Sequence, residues 1–337
     1  SQSLIDGRLV SDWIGDFHPK VIRVIPLIED LEHMVNCDTV VGNYIENRDL
    51  PYQRVFLARS DPALNYGLVS AELMLKIGLH KLQVMENRLG IPIYPIIGAG
   101  AVPFRGHLSP ININRAFQEY PSAHTLTVQS AFKYDHDIDS VREGINQILT
   151  HERTDAPSID EVRASAIIAK CRDAYQEKIR ELSPVIAQTA SHIPKRRERK
   201  LHVGLFGYGR PLDDANEDHE NVTLPRAIGF CAALYSIGIP PELLGMTALN
   251  KEDSAFLREV YPSMEEDLAT ALQYANPYLV KKLLGAEYLK LAEKYTGTVN
   301  QVHQGLTSAI WAAVAQDSQA NTSHYIEEAG ALRRFLG

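Results

Sequence analysis

Five apolar runs in the first 210 residues each end in groups able to hold an ion. Residues 21–28 (VIRVIPLI) lead into Glu29-Asp30, and residues 54–59 (RVFLAR) into Ser60-Asp61. Residues 91–97 (IPIYPII) lead into Gly98-Ala99-Gly100, residues 125–130 close on Gln129-Ser130, and residues 201–206 lead into Gly207-Tyr208-Gly209-Arg210. In parallel βα folds the functional groups gather at the carboxyl ends of the strands, so these are the positions to read first. Glu29 and Asp61 offer two hard oxygen donors on neighbouring strand ends. That donor set suits Mg²⁺ or Mn²⁺, which keep water and substrate in their other positions. A second reading stays open: acidic residues here cap the following helices, as Asp61 ahead of Pro62 can do unaided.

The glycine segment GAGAVPFRGHLSP, residues 98–110, lets a substrate anion approach the backbone at Gly98, with Arg105 supplying a planar charged fork. It is not a G-x-G-x-x-G motif, because Pro103 fills the third glycine position, and it lacks the Lys-Ser/Thr ending of a phosphate loop. A plain turn carrying a surface arginine is the alternative. Arg210 is followed 16 positions later by Arg226, at a helix start written Thr223-Leu224-Pro225-Arg226. Basic groups beside helix amino-termini after late barrel strands bind phosphate. Gly98, Gln129, Arg210 and Arg226 are therefore the candidate substrate-binding positions. The run KRRERK, residues 195–200, reads as a solvated linker or as an anion-attracting loop. His107 is the one histidine in a candidate site loop; His18, His80, His151 and His192 stand at segment joints and are expected to be structural.

These positions need a scaffold, and the chain implies one. Short β-rich runs alternate with helical stretches, such as residues 64–89 and 160–190, up to about residue 210. The pattern predicts an α/β fold with parallel strands over residues 1–210. Residues 211–337 read as helix throughout, with candidates at 224–237, 241–245, 252–261, 266–275, 277–295 and 299–316. A βα barrel needs eight strands, and five are legible here. The fold is therefore either a small open sheet with a helical cap, or the later strands of a barrel.

Composition narrows the function. The chain has 337 residues, 45% hydrophobic and 23% charged, and 34 Lys+Arg against 42 Asp+Glu leave a net charge of −8. An acidic surface argues against a nucleic-acid partner. No apolar run approaches the roughly 18 residues of a membrane helix, and the start lacks a signal-peptide pattern, so a cytoplasmic protein is expected. Cys37, Cys171 and Cys231 stand far apart without a CxxC, as buried thiols do.

Taken together, the strand ends resemble the phosphoenolpyruvate carboxylases, most closely their shorter archaeal-type branch. The resemblance is carried by VIPLIEDLEHM (24–34), RVFLARSDPALNYGLVSA (54–71), PIIGAGAVPFRGHLSP (95–110), TVQSAFKYD (127–135), GLFGYGRP (204–211) and LPRAIGF (224–230). It implies a TIM-type barrel, with Glu29 and Asp61 as ligands of Mg²⁺ or Mn²⁺. It further implies Arg105 beside bicarbonate as the catalytic arginine, and Arg210 and Arg226 on the phosphate. The implied substrates are phosphoenolpyruvate and bicarbonate, the products oxaloacetate and phosphate, and the implied assembly a homotetramer. Another enolate-forming lyase on a similar barrel, or a non-catalytic portion, are the alternatives. Three positions depart from the larger bacterial and plant enzymes. Leu64 stands where those have lysine, Ala99 where they have arginine, and nothing matches the family's amino-terminal catalytic histidine, since His18-Pro19 comes too late. The chain is accordingly expected to be the carboxyl-terminal part of a longer protein.

Overall fold

A computed structural model of the protein describes residues 4–15, 22–193, 210–211, 223–316 and 318–337. The expected strand at 201–206, the glycines at 207 and 209, the basic run 195–200 and His18 lie outside the described residues. In chain order, an antiparallel pair, β1 (Leu4–Ile5) and β2 (Arg8–Leu9), precedes α1 (Val10–Ile14). Then follow β3 (Leu27–Ile28), α2 (Leu31–Val35), α3 (Cys37–Ile45), β4 (Gln53–Ala58), α4 (Ser60–Tyr66), α5 (Leu68–Leu89) and β5 (Ile93–Gly98). Next come α6 (Ile113–Glu119), β6 (Thr125–Leu126), α7 (Ile138–Thr150) and α8 (Glu161–Ser191).

Strands β3, β4, β5 and β6 form one parallel sheet in sequence order. The register pairs Ile28 with Leu57, Ala58 with Gly98, and Ile97 with Leu126. Alternation decides which face is covered: Val55 and Leu57 are fully buried, while Arg54 and Phe56 point the other way and are half-buried. On the covered face lies α5, with Leu68, Leu73, Met74, Leu75 and Leu82 all inaccessible. Each such aliphatic side chain contributes about 2 kcal/mol of apolar burial, so α5 is the main anchor of the sheet. Helix α8 packs on α5, and α9 in turn on α8.

The remainder is mostly helical. A second antiparallel pair, β7 (Arg210–Pro211) with β8 (Thr223–Leu224), leads into α9 (Ala227–Ser236). Beyond it lie α10 (Lys251–Val260), α11 (Met264–Leu272), α12 (Pro277–Leu284), α13 (Ala286–Tyr295), α14 (Gln301–Ala315) and α15 (Gln319–Arg333). No single helix among the described residues is long and apolar enough to cross a membrane.

Several expected bounds change for identifiable reasons. The helix expected at 64–89 breaks at Gly67, whose φ of +84° leaves the helical region, and a Cβ there would meet the Tyr175 ring at 2.9 Å. The helix expected at 277–295 breaks likewise at Gly285, with φ +100°. The run at 21–28 pairs only at Leu27 and Ile28, and the run at 125–130 only at its first two residues. Residue 224 pairs in β8 rather than opening a helix, because the ring of Pro225 crowds the residue before it out of the helical region and into extended backbone.

Candidate active site

The sheet register sets the carboxyl ends of β3, β4, β5 and β6 along one edge, and the residues following them are those picked out by their chemistry. Arg105 is central. After β5 the chain closes a compact loop: the Gly100 N–H donates to the Arg105 carbonyl (2.8 Å) and the Leu108 N–H to the Gly100 carbonyl (2.7 Å). A single 3₁₀ turn, Pro103–Arg105, lies within it. The loop turns the arginine inward, so Arg105 is only 5% exposed and the surface-arginine reading is overturned.

Its fork donates Nε to Ser60 Oγ (3.1 Å), Nη2 to Gln129 Oε1 (2.8 Å) and Nη1 to the Gly337 carbonyl (2.9 Å). The guanidinium also leans over Gly100, where a Cβ would stand 2.7 Å from Cζ. One side chain thus gathers the ends of β4 and β6 and the last residue of the chain. Burial holds the Arg105 guanidinium below its ordinary value; Cys231 and the Asp61 carboxylate oppose this, and Arg226 adds to it. Asp61, Arg105 and Arg226 therefore share one electrostatic neighbourhood.

Neither carboxylate occupies the N-cap position of the helix that follows it. Helix α2 is capped by Asp30, whose carboxylate accepts the His33 N–H at 2.9 Å and also binds the His33 ring, raising its pKa. Glu29, one residue earlier, is not the cap. At α4 the N-cap position belongs to Arg59, and Asp61 sits inside the first turn. Both Glu29 and Asp61 are half-buried at adjoining strand ends.

Arg226 holds the N-cap position of α9 and is exposed, and the β7–β8 pairing sets the Arg210 backbone opposite Leu224, two positions earlier. The Arg210 side chain lies outside what is described. Gly98 ends β5, with the space of its missing side chain filled by the Phe56 ring, 2.7 Å from where a Cβ would lie. Gln129 is at the site as a partner of Arg105 and is followed by a wide π turn, Ala131–Asp135. His107 belongs to the Arg105 loop, but its ring binds Asp267 and Arg115.

A buried polar shell behind the loop escaped the sequence reading. Arg59, wholly inaccessible, donates Nε to Glu72 (3.2 Å) and Nη1 to the Phe104 carbonyl (3.1 Å). Glu242, also inaccessible, accepts the Phe104 N–H (2.7 Å) and the Tyr235 hydroxyl (2.7 Å). Tyr120 donates to Glu72 (2.8 Å). One signal pointed this way: Glu242 is the only charged residue in the apolar stretch IGIPPELLG, residues 237–245.

A family model described as phosphoenolpyruvate carboxylase matches residues 1–337. The chain is similar to the phosphoenolpyruvate carboxylase of Methanospirillum hungatei, at 45% identity over 97% of the chain and 66% of the relative. It is similar also to that of Methanothermobacter thermautotrophicus, at 44% identity over 99% of the chain and 68% of the relative. The Halobacterium salinarum protein of that name is 41% identical over 100% of the chain and 68% of its own length. The chain thus spans about two thirds of the length of these relatives.

Proposed function

The chain belongs to the phosphoenolpyruvate carboxylase family, and from that premise we propose that the complete protein carboxylates phosphoenolpyruvate with bicarbonate, giving oxaloacetate and phosphate. The observation that carries the site assignment is the buried Arg105 fork, tied to Ser60 and Gln129 and sharing its field with Asp61 and Arg226.

In this reading a bicarbonate oxygen attacks the phosphorus of phosphoenolpyruvate while the bond to the enol oxygen breaks. Carboxyphosphate and the enolate of pyruvate result. Carboxyphosphate then splits into CO₂ and phosphate, and the enolate carbon attacks CO₂. Arg105 holds the bicarbonate-derived group in a planar, charge-assisted grip, and its three bonds limit the positions that group can take. Arg226 and Arg210 are assigned to the phosphoryl oxygens. Water has to be kept from the enolate, which otherwise takes a proton and leaves as pyruvate.

Glu29 and Asp61 fit a hard divalent cation, Mg²⁺ or Mn²⁺: both are carboxylates, both are half-buried at adjoining strand ends, and neither holds an N-cap position. Among the described residues no group of three or more His, Cys, Asp or Glu side chains is arranged to hold a metal, so the assignment rests on these two carboxylates, with water and substrate as the further ligands of such an ion. A cation there would supply positive charge to the developing enolate oxygen.

The same proposal extends to the scaffold. Four parallel strands in chain order, with Arg54, Phe56 and Tyr94 half-buried on the face away from α5, support the later strands of a TIM-type βα barrel over residues 1–210. Exposed Ile22, Val24, Ile25 and Leu27 along the β3 edge support further pairing there in the complete protein. Residues 211–337 form the helical region, and a cytoplasmic homotetramer is assigned on the family alone.

The test is oxaloacetate formation by the complete protein, read through malate dehydrogenase. Oxaloacetate is expected only with bicarbonate and Mg²⁺ or Mn²⁺ present; pyruvate release independent of bicarbonate would point instead to another enolate-forming reaction. Asp61→Asn keeps the shape and removes the charge, and is expected to lower kcat by about 100-fold or more. Wild-type turnover in that variant would remove Asp61 from the site.

A further inference from the structure

The hydrogen bonds that close the Arg105 loop on itself give it a shape but do not fix its orientation relative to the sheet. Besides the bonds of the Arg105 and His107 side chains, the Phe104 peptide groups tie the loop backbone to the rest of the molecule. The Phe104 N–H donates to Glu242 Oε1 at 2.7 Å, and the Phe104 carbonyl accepts from Arg59 Nη1 at 3.1 Å. Each holder is itself held. Arg59 is bonded to Glu72, which Tyr120 also bonds, and Glu242 accepts from Tyr235 of α9, the helix that Arg226 opens.

Arg59 immediately precedes Ser60-Asp61, while Glu242 stands in the 3₁₀ turn Pro241–Leu243 of the helical region. The loop is therefore fastened on one side to the strand that delivers Asp61 and on the other to the helical region. Ionisable and polar groups at fully buried positions cost stability relative to apolar residues of the same size, which makes a purely packing role a poor account of this pair. Resting on the assignment of Arg105 to the bicarbonate-derived group, we propose that Glu242 and Arg59 are positioning residues for Arg105, gripping the Phe104 peptide groups from opposite sides and fixing where the guanidinium stands beside Asp61.

Three substitutions in the complete protein test this. Glu242→Leu keeps the volume, removes the acceptor and leaves the Phe104 N–H without its partner. It is expected to lower kcat about 100-fold, to raise KM for bicarbonate more than KM for phosphoenolpyruvate, and to raise the pyruvate released per oxaloacetate. Glu242→Gln keeps an acceptor oxygen and is expected to recover most of kcat and the wild-type product ratio. Arg59→Lys, whose ammonium cannot reach Glu72 and the Phe104 carbonyl together, is expected to change the same ratios even if Glu242→Leu does not accumulate as folded protein. Wild-type KM for bicarbonate and product ratio in the folded variants overturn the proposal, and so does a Gln variant as impaired as the Leu variant. Arg105→Ala, run alongside, separates the two readings. Full activity in it removes Arg105 from the chemistry, whereas loss of activity there with unchanged Glu242 and Arg59 variants removes only the positioning role.

Discussion

Replacing Glu242 by glutamine has a second consequence, for stability against pH, and its size follows from burial. Burial pushes the Glu242 carboxyl up from 4.5 to about 7; the Tyr235 hydroxyl and the Phe104 N–H pull it back down, and the Asp267 carboxylate adds to the rise. Between those two values the folded chain binds a proton that the unfolded chain has released. The stabilising effect is therefore fully present below about pH 4.5 and is lost as pH rises through about 7. At about 1.4 kcal/mol per unit, the rise from 4.5 to about 7 amounts to about 3 kcal/mol. A glutamine there has no proton to lose, and its amide N–H₂ would occupy the place of Glu242 Oε2, which has no hydrogen-bond partner. That mismatch adds a constant offset, so the slope with pH is the informative quantity. In urea unfolding from about pH 5 to about pH 8, the Glu242→Gln variant should gain about 3 kcal/mol relative to wild type, most of it below about pH 7.5. A difference that stays flat within about 0.5 kcal/mol over that range would show that Glu242 is not held protonated by burial, and the account of the shell behind the loop would fail.

Arg105→Lys keeps the charge but cannot reach Ser60, Gln129 and the Gly337 carbonyl at once, so kcat should fall by about 100-fold or more while thermal unfolding still shows a folded protein. Wild-type kcat there would mean that charge, not the planar fork, is what matters. His303 is driven down to about 3 by burial and by Arg333, against a hydrogen bond to the Tyr274 backbone that raises it. Its contribution is present above about pH 6.5 and is lost as pH falls toward about 3, up to about 5 kcal/mol in all, so His303→Leu should flatten the acid limb of a urea-midpoint profile. An unchanged acid limb would refute this.

Much of the site was legible because each candidate directly follows a strand whose apolar run identifies it. Glu29 after Ile28, Asp61 after Ala58-Arg59-Ser60, and Gly98 at the end of β5 all lie at the carboxyl edge of one sheet. Helix lengths were less legible. Gly67 and Gly285 interrupt apolar periodicity that continues on both sides of them, and only the positive φ values reveal the breaks.

Sequence by itself determined the strand-end chemistry, the alternation of strand and helix, and the family. These depend on residue type and local spacing, which a linear reading contains. Tertiary structure alone decided that Arg105 is buried, that Asp30 and not Glu29 caps α2, and that Gln129 serves Arg105. It also decided that Glu242, 138 positions from Phe104, holds a peptide group of the Arg105 loop. Such a contact has no local pattern: it exists because α9 and the turn after it pack behind the loop, and burial there makes a single carboxyl oxygen a strong acceptor for an otherwise unpaired N–H.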